Sequence, residues 1–267
     1  MKVGFADLHH SNGPVVLDGA MGSMLLAMGN SPTQGPHHAC LEDPETVSAI
    51  HSGYATAGAR VATTNTFLVA RENEPFASGI LSKGMELARP HGPVWLSIGP
   101  AGLAPRAIPF WWPLTAGADA ILFETWSGPD LEPWLAFRPL VPLIVSFCLQ
   151  PGGINSLGGW CPSRMADFAH RHEATAVGIN CGWDGLADGY PRAVGALRKA
   201  TSLPIVARPA SCGLGPEAWS GLALRCVDAG ATHIGGCCGT TPEHIRFLSA
   251  ELNGRPRALE RGPQGRS

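Results

Sequence analysis

The chain has 267 residues with 19 basic and 21 acidic side chains, a formal net charge of -2. Charged residues make up only 15% of it, against roughly 25% in an average soluble domain, while hydrophobic residues reach 45%. That balance excludes a disordered chain and provides no basic field, so neither a nucleic-acid nor a membrane partner is expected. The longest uncharged stretch, 139–163, carries Pro139, Pro142, Pro151 and Pro162 together with Gly152, Gly153, Gly158 and Gly159. A lipid-exposed helix would not tolerate that content. The opening MKVGFADLHHSN lacks the apolar centre of a secretory signal, so a reducing, cytoplasmic setting is expected. There the cysteines at 40, 148, 161, 181, 212, 226, 237 and 238 serve as thiols or metal ligands rather than disulfides.

Taken in chain order, short apolar runs alternate with helix-length segments. Strands are predicted at 15–20, 60–66, 94–99, 120–125, 143–149, 176–181, 204–208 and 233–236, each bounded by Gly, Pro or polar residues. Helices are predicted at 44–57, 75–89, 130–137, 163–173, 186–199, 216–229 and 241–252. Asp43-Pro44-Glu45 and Thr241-Pro242-Glu243 each place a capping side chain before Pro at the first helical position. Eight strands alternating with helices over this length point to an α/β protein, a compact (β/α)8 TIM barrel. A doubly wound open sheet lacks its Gly-x-Gly-x-x-Gly turn. The prolines of GPAGLAPRAIPFWWPLTAGAD, between the third and fourth strands, predict a shortened third βα unit. Residues 1–254 read as one barrel domain and 255–267 as a polar tail.

Barrel active sites lie at the C-terminal ends of the strands. Strand one ends in Asp18-Gly19, strand two in Asn65, strand four in Glu124, strand six in Asn180-Cys181 and strand eight in Cys237-Cys238. Adjacent cysteines on a regular strand face opposite ways, so both sulfurs reach one point only if the backbone leaves the strand. Gly235, Gly236 and Gly239 supply that freedom. Three thiols suit Zn²⁺ with a fourth position left for an exchangeable group, while spacing alone equally allows buried, inert cysteines.

These residues sit in motifs that carry a resemblance. LDGAMGSML at 17–25, GYATAGARVATTNTF at 53–67, SIGPAG at 97–102, GADAILFET at 117–125, VGINC at 177–181 and GGCCGTTPEHI at 235–245 occur in that order. Together they resemble the homocysteine S-methyltransferase family over nearly the whole chain. The resemblance implies a zinc-dependent (β/α)8 barrel that moves a methyl group onto homocysteine sulfur. It implies Cys181, Cys237 and Cys238 as zinc ligands. It sets the substrate ammonium against Asp18 and Glu124, and the substrate carboxylate against backbone N–H groups around Gly19 and Ala20.

Each assignment has an alternative. Asp18 either binds substrate or caps the helix starting near Gly22. Glu124, at the end of an apolar strand, needs a partner if buried, and a substrate ammonium would serve. Asn65 either orients substrate or ties neighbouring loops together. Activated methyl donors are often cations that favour aromatic faces, so Trp126 and Trp160, with Trp111-Trp112, are candidates for a donor pocket. The same tryptophans could equally be packing. The donors expected first are the sulfoniums S-methylmethionine and S-adenosylmethionine, with betaine or a separate corrinoid protein as alternatives. Relatives carry Pro-Asn after the seventh strand, where this chain has Pro209-Ala210. The fourth resting ligand is then water or Cys212, and a Cys212 ligand would describe a closed, non-catalytic zinc protein. The local pairs His9-His10 and His37-His38 are noted as incidental metal-binding sequence only.

Overall fold

The structure, a computed structural model, describes residues 13–30, 32–73, 75–100, 112–136, 140–182 and 188–255. Eight parallel strands form one sheet: β1 Val15–Val16, β2 Ala62–Thr63, β3 Val94–Ile98, β4 Ala120–Trp126, β5 Leu143–Cys148, β6 Ala176–Asn180, β7 Ile205–Arg208 and β8 His233–Ile234. Neighbours follow the order β1-β8-β7-β6-β5-β4-β3-β2, so every pairing except β1 with β8 joins consecutive strands. The sheet curls until its two ends meet, where the Arg60 N–H donates to Val16 O at 2.9 Å and the Thr63 N–H donates to the Asp18 carboxylate.

Helices α1 Gly22–Ala27, α2 Ala39–Glu42, α3 Pro44–Thr56, α4 Phe76–Ala88, α5 Pro162–Arg171, α6 Gly189–Ala200, α7 Pro216–Asp228 and α8 Pro242–Gly254 lie between the strands. Asp43 caps α3 by accepting the Thr46 N–H, and Thr241 with His244 forms a reciprocal capping box on α8. The helix predicted at 130–137 is instead a short 3₁₀ turn, Glu132–Ala136. Between β3 and β4 the described residues hold only the 3₁₀ helix Trp112–Gly117, and the rest of the expected shortening, 101–111, lies outside them. The predicted tail also lies outside, apart from Arg255, which pairs with Asp228. No helix among the described residues is long and apolar enough to cross a membrane.

Side chains alternate between two apolar layers. Val61, Trp95, Leu122, Ile144 and Val206 cluster within the curled sheet, while Ile98, Ile121, Phe123, Val145 and Ile205 pack with the helices. Strands buried on both faces explain why the sequence shows apolar runs without polar alternation. Gly178 is required on β6, because a Cβ there would stand 2.6 Å from Val206 O.

One buried group makes the fold pH-sensitive. His51, on α3, is 1% exposed, both its ring nitrogens lack hydrogen bonds, and His91 stacks on it at 5.9 Å. Burial, aided by His91, pushes its imidazole down to about 4. The unfolded chain therefore binds this proton first as pH falls. The stability contribution is complete above about pH 6.5 and lost as pH drops towards 4, amounting to about 3 kcal/mol. In urea titrations across that range, His51→Leu should flatten this part of the pH dependence.

Candidate active site and its relatives

The two-residue period of the strands builds the site. One step beyond each inward apolar residue stands a polar one: Val61 is followed by Thr63, Trp95 by Ser97, Leu122 by Glu124, Ile144 by Ser146 and Val206 by Arg208. Asn180 occupies the same level on β6. A polar layer thus sits on the apolar filling at the C-terminal ends of the strands, beneath a cavity of about 420 Å³.

Glu124 lines this cavity, and its carboxylate accepts the Ser97 hydroxyl. Asp18 behaves otherwise. It is 1% exposed, and its oxygens accept the Thr63 N–H, the Thr63 hydroxyl at 2.7 Å and Arg208 Nη2 at 3.0 Å. Burial pushes its carboxyl up, against the pull of Arg208 and Thr63. Asp18 does not cap α1, which has no side-chain cap, and its oxygens accept from Thr63 and Arg208. It also closes the sheet seam, standing in for a strand carbonyl opposite Thr63. Arg208, 3% exposed, lines the cavity and also donates to Gly236 O at 3.0 Å and Thr63 Oγ1 at 2.8 Å.

The segment after β1 is close-packed. A Cβ on Gly19 would stand 2.7 Å from both Thr240 Oγ1 and the Tyr54 hydroxyl. Gly19 and Ala20 line the cavity, and the Ala20 N–H donates to Thr240 Oγ1 at 3.2 Å. Asn65 lines the cavity and its Nδ2 donates to Pro36 O at 2.7 Å, which ties two loops together.

Cys181, Cys237 and Cys238 converge. Cys181 Sγ is 3.9 Å from Cys238 Sγ, Cys237 Sγ is 4.0 Å from Cys238 Sγ, and all three lie within 4.8 Å of one another. Sulfurs bound at about 2.3 Å in a tetrahedral sphere would stand about 3.8 Å apart, so the group fits one Zn²⁺. The backbone leaves the strand in both places. Cys181 takes φ +55°, and Gly239 after the cysteine pair takes φ +78°. The Cys237 N–H donates to Pro209 O at 3.0 Å and the Ser211 N–H to Cys238 O at 2.9 Å, anchoring this turn to the end of β7. Packed together, the thiols oppose ionisation. Contact with Cys148 and then Cys237 pushes Cys181 up, and the hydrogen bond with Cys181 holds Cys238 at about 11. A divalent cation reverses that preference.

Cys212 is not in the three-sulfur group, which corrects its expected place as a fourth ligand. The sulfur neighbour missed from sequence is Cys148, the buried last residue of β5, whose thiol hydrogen-bonds with Cys181. Asn180, named in the sequence only as the end of strand six, has a positioning role. Its Oδ1 accepts the Thr125 N–H at 2.9 Å and the Ser146 hydroxyl at 2.7 Å, and its Nδ2 donates to Thr125 Oγ1 at 2.6 Å. Thr125, at φ +67°, follows Glu124, so Asn180 fixes the turn that aims the carboxylate. Asn180→Ala should cost about 2–4 kcal/mol in urea denaturation, because it strands buried partners on β4 and β5.

The donor-pocket tryptophans are corrected as well. Trp126 is fully buried, donates its indole N–H to Ile98 O at 3.0 Å and packs on Phe123 and Trp134. Trp160 is buried against Phe147 and Phe168, with the Arg164 guanidinium 4.6 Å over its ring. Trp112 stacks on Phe123, and Trp111 lies outside the described residues. The cavity instead has Phe67, with Met21, Leu26 and Leu68, as its apolar wall.

Comparison with known proteins agrees with this architecture. The homocysteine S-methyltransferase family profile matches residues 15–252. The homocysteine methyltransferase MmuM from Escherichia coli, in its metallated crystal form, superposes with a TM-score of 0.78 at 26% identity, covering 92% of this chain and 99% of that one. The Bacillus subtilis homocysteine S-methyltransferase YbgG is 26% identical over 88% of this chain and 93% of its own length. Homocysteine S-methyltransferase 2 from Arabidopsis thaliana is 32% identical over 52% of this chain, an alignment that spans 47% of that protein. With eight parallel strands in this order and three thiols at the end of the sheet, the chain belongs to the homocysteine S-methyltransferase family of methyltransferase enzymes.

Proposed function

We propose that the protein transfers a methyl group from a small sulfonium donor, S-methylmethionine or S-adenosylmethionine, to the thiol of homocysteine, with Zn²⁺ held by Cys181, Cys237 and Cys238. The observation that carries this reading is the convergence of three thiols and Glu124 on one cavity. It goes with a single closed (β/α)8 domain over residues 1–254, trimmed in its third unit. The Arg60 to Val16 contact across the seam supports closure.

Cys181, Cys237 and Cys238 would hold the zinc, which would supply acidification of the acceptor thiol in place of a separate general base. The rest of the work is positioning. Glu124 receives the acceptor's ammonium, and Ser97 fixes the carboxylate for it. Asp18 acts one layer deeper, holding Arg208 and Thr63 in place. The acceptor carboxylate faces the backbone N–H groups around Gly19 and Ala20, both of which line the cavity. Met21, Leu26, Phe67 and Leu68 shield the donor side from water, and the Phe67 ring offers a π face to a sulfonium.

The test is methionine formation from homocysteine with S-methylmethionine, S-adenosylmethionine, betaine and methylcobalamin offered separately. Turnover with a sulfonium alone is expected, and Glu124→Gln should raise the homocysteine KM by about tenfold or more through the lost ammonium contact. Turnover with betaine or methylcobalamin only would replace the donor. No methionine from any of the four would overturn the reading.

A further inference from the structure

A second set of metal-ligating side chains lies outside the thiol site. The 3₁₀ turn Pro36–His38 and the residue following the 3₁₀ turn Val69–Arg71 bring together His37, His38 and Glu72. His37 Nε2 stands 2.8 Å from Glu72 Oε1, and His38 Nε2 stands 3.2 Å from the same oxygen. One ligand atom from each residue lies within 4.8 Å of the others. Nitrogen and oxygen donors bound at 2.0–2.1 Å in a tetrahedral sphere would be about 3.3 Å apart, so small side-chain adjustments close the group on one ion.

The electrostatics favour a cation. Both histidines are 2% exposed, and His37 Nδ1 and His38 Nε2 are left without well-aligned hydrogen bonds. A buried nitrogen in that state is costly, and ligation through Nε2 would satisfy the one on His38, which faces Glu72. On the far side of the His38 ring, Nδ1 lies 3.8 Å from the exposed Glu42 carboxylate, which adds negative charge beside the group.

We propose that His37, His38 and Glu72 form a second divalent transition-metal site, separate from the thiols, that takes Zn²⁺ or a similar imidazole-preferring ion. Two imidazoles and one carboxylate are a set that zinc accepts and that magnesium and calcium do not favour. The ion joins the loop after β1 to the loop after β2. His37 itself lines the cavity, and Pro36 beside it accepts the Asn65 hydrogen bond, so the clamp fixes the wall next to the acceptor position.

Cobalt(II) titration of the full-length, metal-stripped protein tests this, because cobalt bound by thiolates shows an intense sulfur-to-metal charge-transfer band and cobalt bound by His and Glu does not. Two equivalents per chain are expected, one with the band and one without. Glu72→Gln and His38→Gln should each lose the second equivalent and keep the full band. In the wild-type protein the second equivalent should also bring hyperfine-shifted imidazole N–H signals, a readout that stands if either variant fails to fold. Saturation at one equivalent with the full band, or a second equivalent without shifted imidazole signals, would overturn the proposal. One equivalent that is lost in Glu72→Gln and never shows the band would instead remove the thiolate reading and leave this site standing.

Discussion

Arg208→Met is expected to lower folding stability by about 3–5 kcal/mol, the cost of leaving one half of a buried ion pair behind. The side chain is enclosed by Asp18, Thr63 and the carbonyls of Gly19 and Gly236, all buried under the cavity floor. Without the guanidinium, the Asp18 carboxyl loses the main pull that opposes its burial and rises further. It then prefers the protonated form in the fold, so the deficit grows as pH rises through its folded value and shrinks in acid. Adding Asp18→Asn should recover much of the loss, since the amide oxygen still accepts the Thr63 N–H and no charge remains. Denaturant titrations of the four proteins in this cycle give the coupling directly. A double variant as unstable as the sum of the singles would mean that the pair does not act as a unit.

Replacing Cys181, Cys237 or Cys238 by Ser should each abolish tight zinc binding at the thiol site. Each should reduce methyl transfer by about three orders of magnitude, because an unbound thiol is only a few per cent ionised at neutral pH and is no longer aligned. Cys148→Ser and Cys212→Ser separate sulfur chemistry from sulfur position. Cys148 hydrogen-bonds with Cys181, but neither it nor Cys212 is in the three-sulfur group, so both variants should keep zinc and most activity. Zinc content after dialysis and the homocysteine assay read both effects. Loss of zinc in Cys212→Ser would restore the closed four-sulfur description.

Much of this was legible in the sequence, for definable reasons. All eight strands match predicted runs, β4 running one residue past its own to Trp126, because strands buried on both faces must be apolar throughout and bounded by breakers. The thiol convergence could be anticipated because Cys181 and Cys237-Cys238 end strands six and eight, and in a parallel sheet all strand ends share one side. The polar layer went unread although its signal is present. Ser97, Ser146 and Arg208 each interrupt an apolar strand two residues beyond an inward side chain. The Asp18 pairing went unread because Arg208 is 190 residues away, and no local pattern reports such a pairing. The tryptophans were misplaced for a related reason. An aromatic near a strand end faces either the cavity or the helices according to strand parity, and Trp126 continues the outward face of Phe123 after the irregular step at Thr125. His37 and His38 gained meaning only with Glu72, which reaches them from another loop.

The central claim is that the three cysteines present a metal ion whose remaining position takes the acceptor's sulfur. Adding homocysteine to the cobalt-substituted protein tests it most directly. The sulfur-to-cobalt charge-transfer band should grow by about one third as three sulfur ligands become four, and serine-for-cysteine homocysteine analogues should leave it unchanged. A band of full intensity that does not respond to homocysteine would contradict the account.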